Sequence, residues 1–158
     1  MHGSHFDELS FFAAIEASGA RTLLFGRRAL VLLGLPVLTA DYDFWLHFDD
    51  VELLNGAVEP FELVATVDAA EARRRGRYVL QNDEHVDVLI ARTVPTVDGE
   101  IVAFDDLWGR RAELWLDDHV RVMIPTLADL RRTKRFAARE KDLADLRMLD
   151  VLIAEREP

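Results

Sequence analysis

Residues 41–48, Asp-Tyr-Asp-Phe-Trp-Leu-His-Phe, alternate strictly. In an extended strand Tyr42, Phe44, Leu46 and Phe48 fall on one face, and Asp41, Asp43, Trp45 and His47 on the other. The pattern asks for a sheet with one aromatic face against a core. It also sets two carboxylates side by side on the opposite face, close enough to share a divalent cation. With 29 acidic residues in 158, pairs at this spacing also arise by chance, at 50/52, 98/100, 140/142 and 155/157. Only Asp41/Asp43 lies in a strongly apolar alternating strand, where a charge is expensive unless a site needs it. Asp87 is a further isolated carboxylate, inside the apolar run His-Val-Asp-Val-Leu-Ile at 85–90.

The rest of the composition narrows the class. A chain of 158 residues, half of them hydrophobic, fits one packed domain. There is no cysteine, which excludes disulfide scaffolds, thiolate metal sites and cysteine nucleophiles, and makes the cytoplasm the expected compartment. A net charge of −10 argues against a surface coated for duplex binding but leaves room for a local basic groove. Residues 1–5 read as a short mobile start, not a signal peptide. The longest apolar stretch, 29–38, is broken by Gly34 and Pro36 and is too short to span a bilayer, so no membrane partner is expected.

Along the chain, residues 6–18 carry helical spacing closed by Gly19, and Thr22–Phe25 reads as a buried strand turning at Gly26. Residues 27–33 read as a helix ended by Gly34, and 68–75 as a polar helix stopped by Gly76. Hairpins are expected from 78–80 with 86–90, and from 112–116 with 120–124. After Pro125, residues 126–137 and 140–155 read as two helices. Strands and helices mix without clean βαβ alternation, so the class is α+β, or a mixed-sheet α/β.

A Gly turn into a helix, two carboxylates on the next strand and a third on a later strand together describe a metal–triphosphate site. Backbone N–H groups at the helix start face a phosphate, and the carboxylates hold Mg²⁺. Here the sequence resembles the nucleotidyltransferase superfamily with the DNA-polymerase-β-like fold. It is most similar to small bacterial members related to abortive-infection and toxin–antitoxin modules. The resemblance rests on Phe25-Gly26, then Arg27 and thirteen residues, then Asp41-Tyr42-Asp43-Phe44. It continues through Arg28-Ala29-Leu30, Gly34-Leu35-Pro36 and Thr39 to Val86-Asp87-Val88. It closes with Ile124-Pro125-Thr126-Leu127, Leu130, Lys134, Arg139 and the Lys141–Leu146 segment.

The resemblance implies a single domain over 1–158. Its core is a mixed sheet at about 20–92, with a C-terminal hairpin and helices at about 104–156. It implies Asp41, Asp43 and Asp87 as catalytic metal ligands for Mg²⁺ or Mn²⁺. Gly26, Arg27, Arg28, Lys134 and Arg139 are the implied nucleotide-binding residues. The reaction implied is transfer of a nucleoside monophosphate from an NTP to a hydroxyl on a protein, a tRNA or a small molecule. Arg27 departs from the pattern, standing where the family has a small Gly or Ser. Its side chain either crowds the triphosphate or binds a phosphate through its guanidinium. In the crowding case the chain is a binding module, such as an antitoxin-like partner protein.

Other residues carry two readings. Lys134 and Arg139 meet phosphates or sit on a solvated face, and Lys141, Asp142 and Asp145 belong to the site or form helix-surface pairs, the spacing favouring the pairs. His85 is a hairpin-end residue or touches a ligand phosphate, and Trp45 is a packed aromatic or a base-stacking one. Arg73, Arg74, Arg75 and Arg77 read as a solvated helix end or an RNA-backbone contact. No P-loop, dinucleotide fingerprint, zinc-spaced His pair or nucleophile-elbow serine competes with the carboxylate reading.

Overall fold

The carboxylate strand is β2 (Asp41–Leu46) in the computed structural model, which describes residues 6–137 and 139–156. The start at 1–5 lies outside the described residues. The strand stops two residues short of the alternating run, because His47 leaves the sheet. Its Nδ1 accepts from the Asp49 N–H (3.0 Å) and caps a 3₁₀ turn at Phe48–Asp50. Around β2 lies a five-stranded mixed sheet with β1 (Thr22–Phe25), β3 (Val64–Ala65), β4 (Arg77–Gln81) and β5 (His85–Leu89). The order is β1-β2-β5-β4-β3, and only β2 and β5 run parallel.

The alternation of β2 decides which layer lies on each side. Tyr42, Phe44 and Leu46 are buried beneath α1 (Glu8–Ser18) and α3 (Val51–Val58), in a core that includes Phe11, Phe12 and Leu54. Phe11 meets the Tyr42 ring edge-on at 5.3 Å between centroids. On the opposite face Trp45 is buried with Leu23, Val102, Phe104 and Leu107, and its Nε1 donates to the Ala91 carbonyl (2.9 Å). That second layer is built by the hairpin of β6 (Thr93–Pro95) and β7 (Ile101–Ala103) and by α5 (Phe104–Gly109). It covers the β1–β2 side and reaches Leu89 at the end of β5, and the face around Asp87, Val79 and Arg77 is left open.

Three segments position the site. The helix α2 (Gly26–Leu32) leaves β1 with no intervening loop. The polar helix α4 (Ala69–Arg75) is capped by Asp68 and ended by Gly76, leading straight into β4. A hairpin of β8 (Ala112–Trp115) and β9 (Arg121–Ile124) then delivers α6 (Leu127–Thr133) and α7 (Glu140–Arg156). Among the described residues no helix is long and apolar enough to cross a membrane.

Candidate active site

Strand register brings the acidic residues together. In the parallel pair Asp43 stands opposite Asp87, and Asp41 opposite His85. All four share the face away from the aromatic core, because Tyr42, Phe44, Val86 and Val88 occupy the other. The His85 Nε2 is 3.1 Å from Asp87 Oδ1, which steadies that carboxylate and leaves its second oxygen free.

Asp43 lies deepest. Burial pushes its carboxyl up to about 6, with the charges of Asp87 and Asp41 adding to the rise and those of Lys134 and Lys141 opposing it. A carboxylate so placed prefers either a proton or a cation. Gly26 closes over it with φ +66°, and a Cβ there would fall 2.3 Å from Asp43 Oδ2. The turn therefore needs glycine for its backbone angle and for the space the carboxylate occupies.

The Asp43 carboxylate separates two clefts. The smaller, about 100 Å³, is walled by Gly26, Arg27, Asp41, Lys134, Arg139 and Lys141. The larger, about 720 Å³, lies over the open part of the sheet, where Asp43 and Asp87 meet Phe25, Val79, Thr66 and Arg77. The first is narrow and cationic at its far wall, and the second is wide and mixed. Together they resemble a place for a polyanion and a place for a second molecule, with carboxylates at the junction.

Four of the five residues expected to meet the nucleotide line the smaller cleft, namely Gly26, Arg27, Lys134 and Arg139. Arg28 does not. Its guanidinium lies 4.3 Å over the Tyr42 ring, donates to the Thr39 carbonyl (3.2 Å), and approaches Glu8 at 3.5 Å. It ties α2 to α1 and the loop before β2. Lys141 and Thr39 line the cleft as well, although the sequence favoured a surface pair for Lys141 and a connecting loop for Thr39.

The pairs expected on the surface of α7 are buried. Asp145 is 0% exposed and Asp142 is 2% exposed. Arg27 forks onto Asp145, Nε to Oδ2 at 3.1 Å and Nη2 to Oδ1 at 3.2 Å, while Lys134 Nζ donates to Oδ2 at 2.7 Å. Burial pushes the Asp145 carboxyl up, yet hydrogen bonds from Arg27 and Lys134 outweigh it and hold the carboxyl below its ordinary range. Arg139 forks in the same way onto Asp142 (2.8 and 3.2 Å). Spacing of three and four residues looks the same on a solvated helix and on one packed against basic side chains, which is why the sequence reading missed this.

Trp45 is a packed core aromatic, 1% exposed. The Arg73–Arg77 run is largely neutralised within the protein. Arg73 forks onto Glu52 (2.8 and 2.6 Å), and Arg74 and Arg75 share Glu71. Arg77 has no ion pair among the described residues.

This arrangement, a Gly-turn helix beside paired strand carboxylates in a five-stranded mixed sheet, is nucleotidyltransferase-like in fold. The chain is similar in structure to the antibiotic-resistance factor ANT(2'')-Ia, with TM-score 0.63, 13% identity, and 91% of this chain and 80% of that one covered. It is similar to the lincosamide antibiotic adenylyltransferase LnuA in its lincomycin-bound form, with TM-score 0.60, 15% identity and coverage of 93% and 98%. TM1012 from Thermotoga maritima, assigned as a nucleotidyltransferase, aligns with TM-score 0.56, 13% identity and coverage of 99% and 95%. At such identities the likeness is one of fold. No family model and no curated protein matches the sequence.

Proposed function

We propose that the protein transfers a nucleoside monophosphate from an NTP to a hydroxyl acceptor. The observation that carries this reading is the register of β2 and β5, which sets Asp43 against Asp87 at the border of two clefts under a glycine turn. Nucleotidyltransferase-like neighbours, two of them concerned with antibiotics, support the same chemistry.

A divalent cation suits the donor set. Among the described residues no three acidic or imidazole side chains converge around one point as they stand. Magnesium, however, is commonly held by one or two carboxylates and completed by substrate phosphates. The raised Asp43 carboxyl and the neighbouring charges of Asp41 and Asp87 mark where positive charge is favoured. Asp41, Asp43 and Asp87 would hold Mg²⁺ or Mn²⁺, which when bound offsets charge on the triphosphate and the leaving pyrophosphate. In the smaller cleft Gly26 keeps the wall clear, while Lys141 and the partly exposed Arg139 face the phosphates. Asp87, steadied by His85, takes the acceptor's proton on the oxygen that His85 leaves free.

Arg27 lines the smaller cleft but does not stand free to grip a phosphate, since its guanidinium is held by Asp145 and the Leu38 carbonyl. That engagement favours one second reading, a catalytically impaired binding module of the antitoxin-like kind whose partner is another protein. Titration with each NTP in the presence and absence of Mg²⁺, followed by pyrophosphate release with candidate acceptors, separates the two. Saturable Mg²⁺-dependent NTP binding that Asp43→Asn abolishes supports transfer. Absence of binding by every NTP removes it and leaves the module.

A further inference from the structure

We propose that the larger cleft takes a small hydroxyl acceptor carrying a single anionic group, phosphate or carboxylate, which Arg77 receives while the hydroxyl lies beside Asp87. This rests on the transfer reading above and names the acceptor class for the same site.

The argument begins with the sheet. In the antiparallel β4–β5 pair Val79 stands opposite Asp87, and Arg77 opposite Leu89. Tyr78 and Leu80 turn into the core, so Arg77 and Val79 share the open face with Asp87. Arg77 is thus the diagonal neighbour of Asp87, about 7–8 Å away along the sheet. An acceptor lying across Val79 meets a carboxylate at one end and a guanidinium at the other. Phe25, Val67 and Leu89 supply apolar wall between them.

Charge then selects the acceptor. Arg73 is paired with Glu52, and Arg74 and Arg75 share Glu71, which leaves Arg77 as the cation on this wall with no ion pair among the described residues. One uncommitted guanidinium suits one anion, which it can grip bidentately. A nucleic-acid strand needs a run of cations, and a chain of net charge −10 whose adjacent arginines are already paired does not offer one. A polycationic acceptor would set one of its charges against the uncommitted Arg77. The cleft volume of about 720 Å³ is that of a small-molecule site.

The transfer balances without a further reactant. The acceptor oxygen bonds to the α-phosphorus of the NTP. The bond from that phosphorus to the bridging oxygen breaks, and pyrophosphate leaves with the electron pair. The hydroxyl proton passes to Asp87 and then to solvent.

The test uses the whole chain and matched probes: glycerol 3-phosphate, glucose 6-phosphate and gluconate against glycerol and glucose. A polycationic aminoglycoside and a short RNA with a free 3′-hydroxyl complete the set. Binding is read from backbone amide shifts of Thr66, Arg77 and Val79, with and without NTP, and transfer from pyrophosphate release. We expect at least one anionic probe to shift these amides and to exceed its neutral partner by about ten-fold or more, as a charge-assisted contact implies. Arg77→Gln should erase that preference and Arg77→Lys should keep part of it. Equal response to anionic and neutral probes, or preference for the aminoglycoside or the RNA, overturns the proposal. NTP affinity is measured separately. If no NTP binds while the anionic probes still shift the amides through Arg77, the transfer reading falls and the anion site stands.

Discussion

Two groups of aspartates lie within one small protein, and they are treated in opposite ways. On the C-terminal helices Asp145 is completely buried and grips Arg27 and Lys134, and Asp142 grips Arg139. At the sheet Asp43 is half-buried against Asp41 and Asp87, and only the longer-range charges of Lys134 and Lys141 offset its desolvation. Lys134 belongs to both settings, but its ammonium is in contact with Asp145, not Asp43. The paired carboxyl is held below its ordinary range and the unpaired one is pushed above it. A buried carboxylate that already has its cations organises the fold, whereas one that lacks a cation in contact is poised for a ligand.

The comparison is broken most directly at Asp145. Asp145→Ala leaves the Arg27 and Lys134 charges without their shared partner, and we expect a loss of about 3–5 kcal/mol in urea unfolding. A loss below about 1 kcal/mol would show that α7 packs without this pair. Gly26→Ala should come next, at roughly 2–3 kcal/mol, because it forces a side chain into a positive-φ turn and against Asp43. Its NTP binding should fall along with its stability, and unchanged NTP binding would separate the turn from the site.

Asp43→Asn should act in the opposite direction. Removing one of three neighbouring charges at nearly constant volume should raise metal-free stability by roughly 1–2 kcal/mol while abolishing transfer. A marked loss of stability would place Asp43 in a structural network instead. Millimolar Mg²⁺ with an NTP should raise the melting temperature of the wild type and not of this variant.

The two groups should also titrate with opposite signs. Asp43 binds its proton more tightly folded than unfolded, so its destabilising effect is absent below its ordinary value of 3.8. That effect grows as pH rises and is complete above about 6. The advantage of Asp43→Asn over wild type should therefore increase across that interval and then level off. Asp145 binds its proton less tightly folded. Its stabilising contribution is present above 3.8 and is lost only as pH falls through its lower folded value. Stability curves of wild type and Asp43→Asn measured from pH 3 to 8 check the first sign, and the same comparison with Asp145→Ala checks the second. The smallest effect belongs to Arg139→Gln, about 1 kcal/mol, because the arginine is largely in water although its loss leaves the buried Asp142 without a cation, and the change in NTP affinity should exceed the change in stability.

Much of this was legible in the chain. The expected hairpin at 78–90, the helix closed by Gly76 and the strand at Asp41 all formed, because each rests on local periodicity and turn chemistry. The helix α3 was not foreseen, since Asn55-Gly56 in its middle has the signature of a turn. Burial of Val51, Leu54 and Val58 against the sheet outweighs that preference. The β6–β7 hairpin around Asp98-Gly99 was missed because its two strands are only three residues each. Arg28, adjacent to Arg27 in sequence, turned to the opposite side of α2 and became a tether for Tyr42 and Glu8.

The sequence by itself determined the mixed sheet and the acidic strand, because alternation of apolar and polar residues acts over neighbours and leaves a carboxylate in an apolar strand conspicuous. Only the tertiary structure decided which charges are spent and which are available. Arg27 and Asp145 are 118 residues apart and meet only because α7 packs beside α2. An aspartate on a helix looks alike whether water or a guanidinium faces it, since its spacing carries no record of the partner. Burial and pairing are properties of the assembled layers, and they alone separate the closed aspartates of α7 from the open ones of β2 and β5.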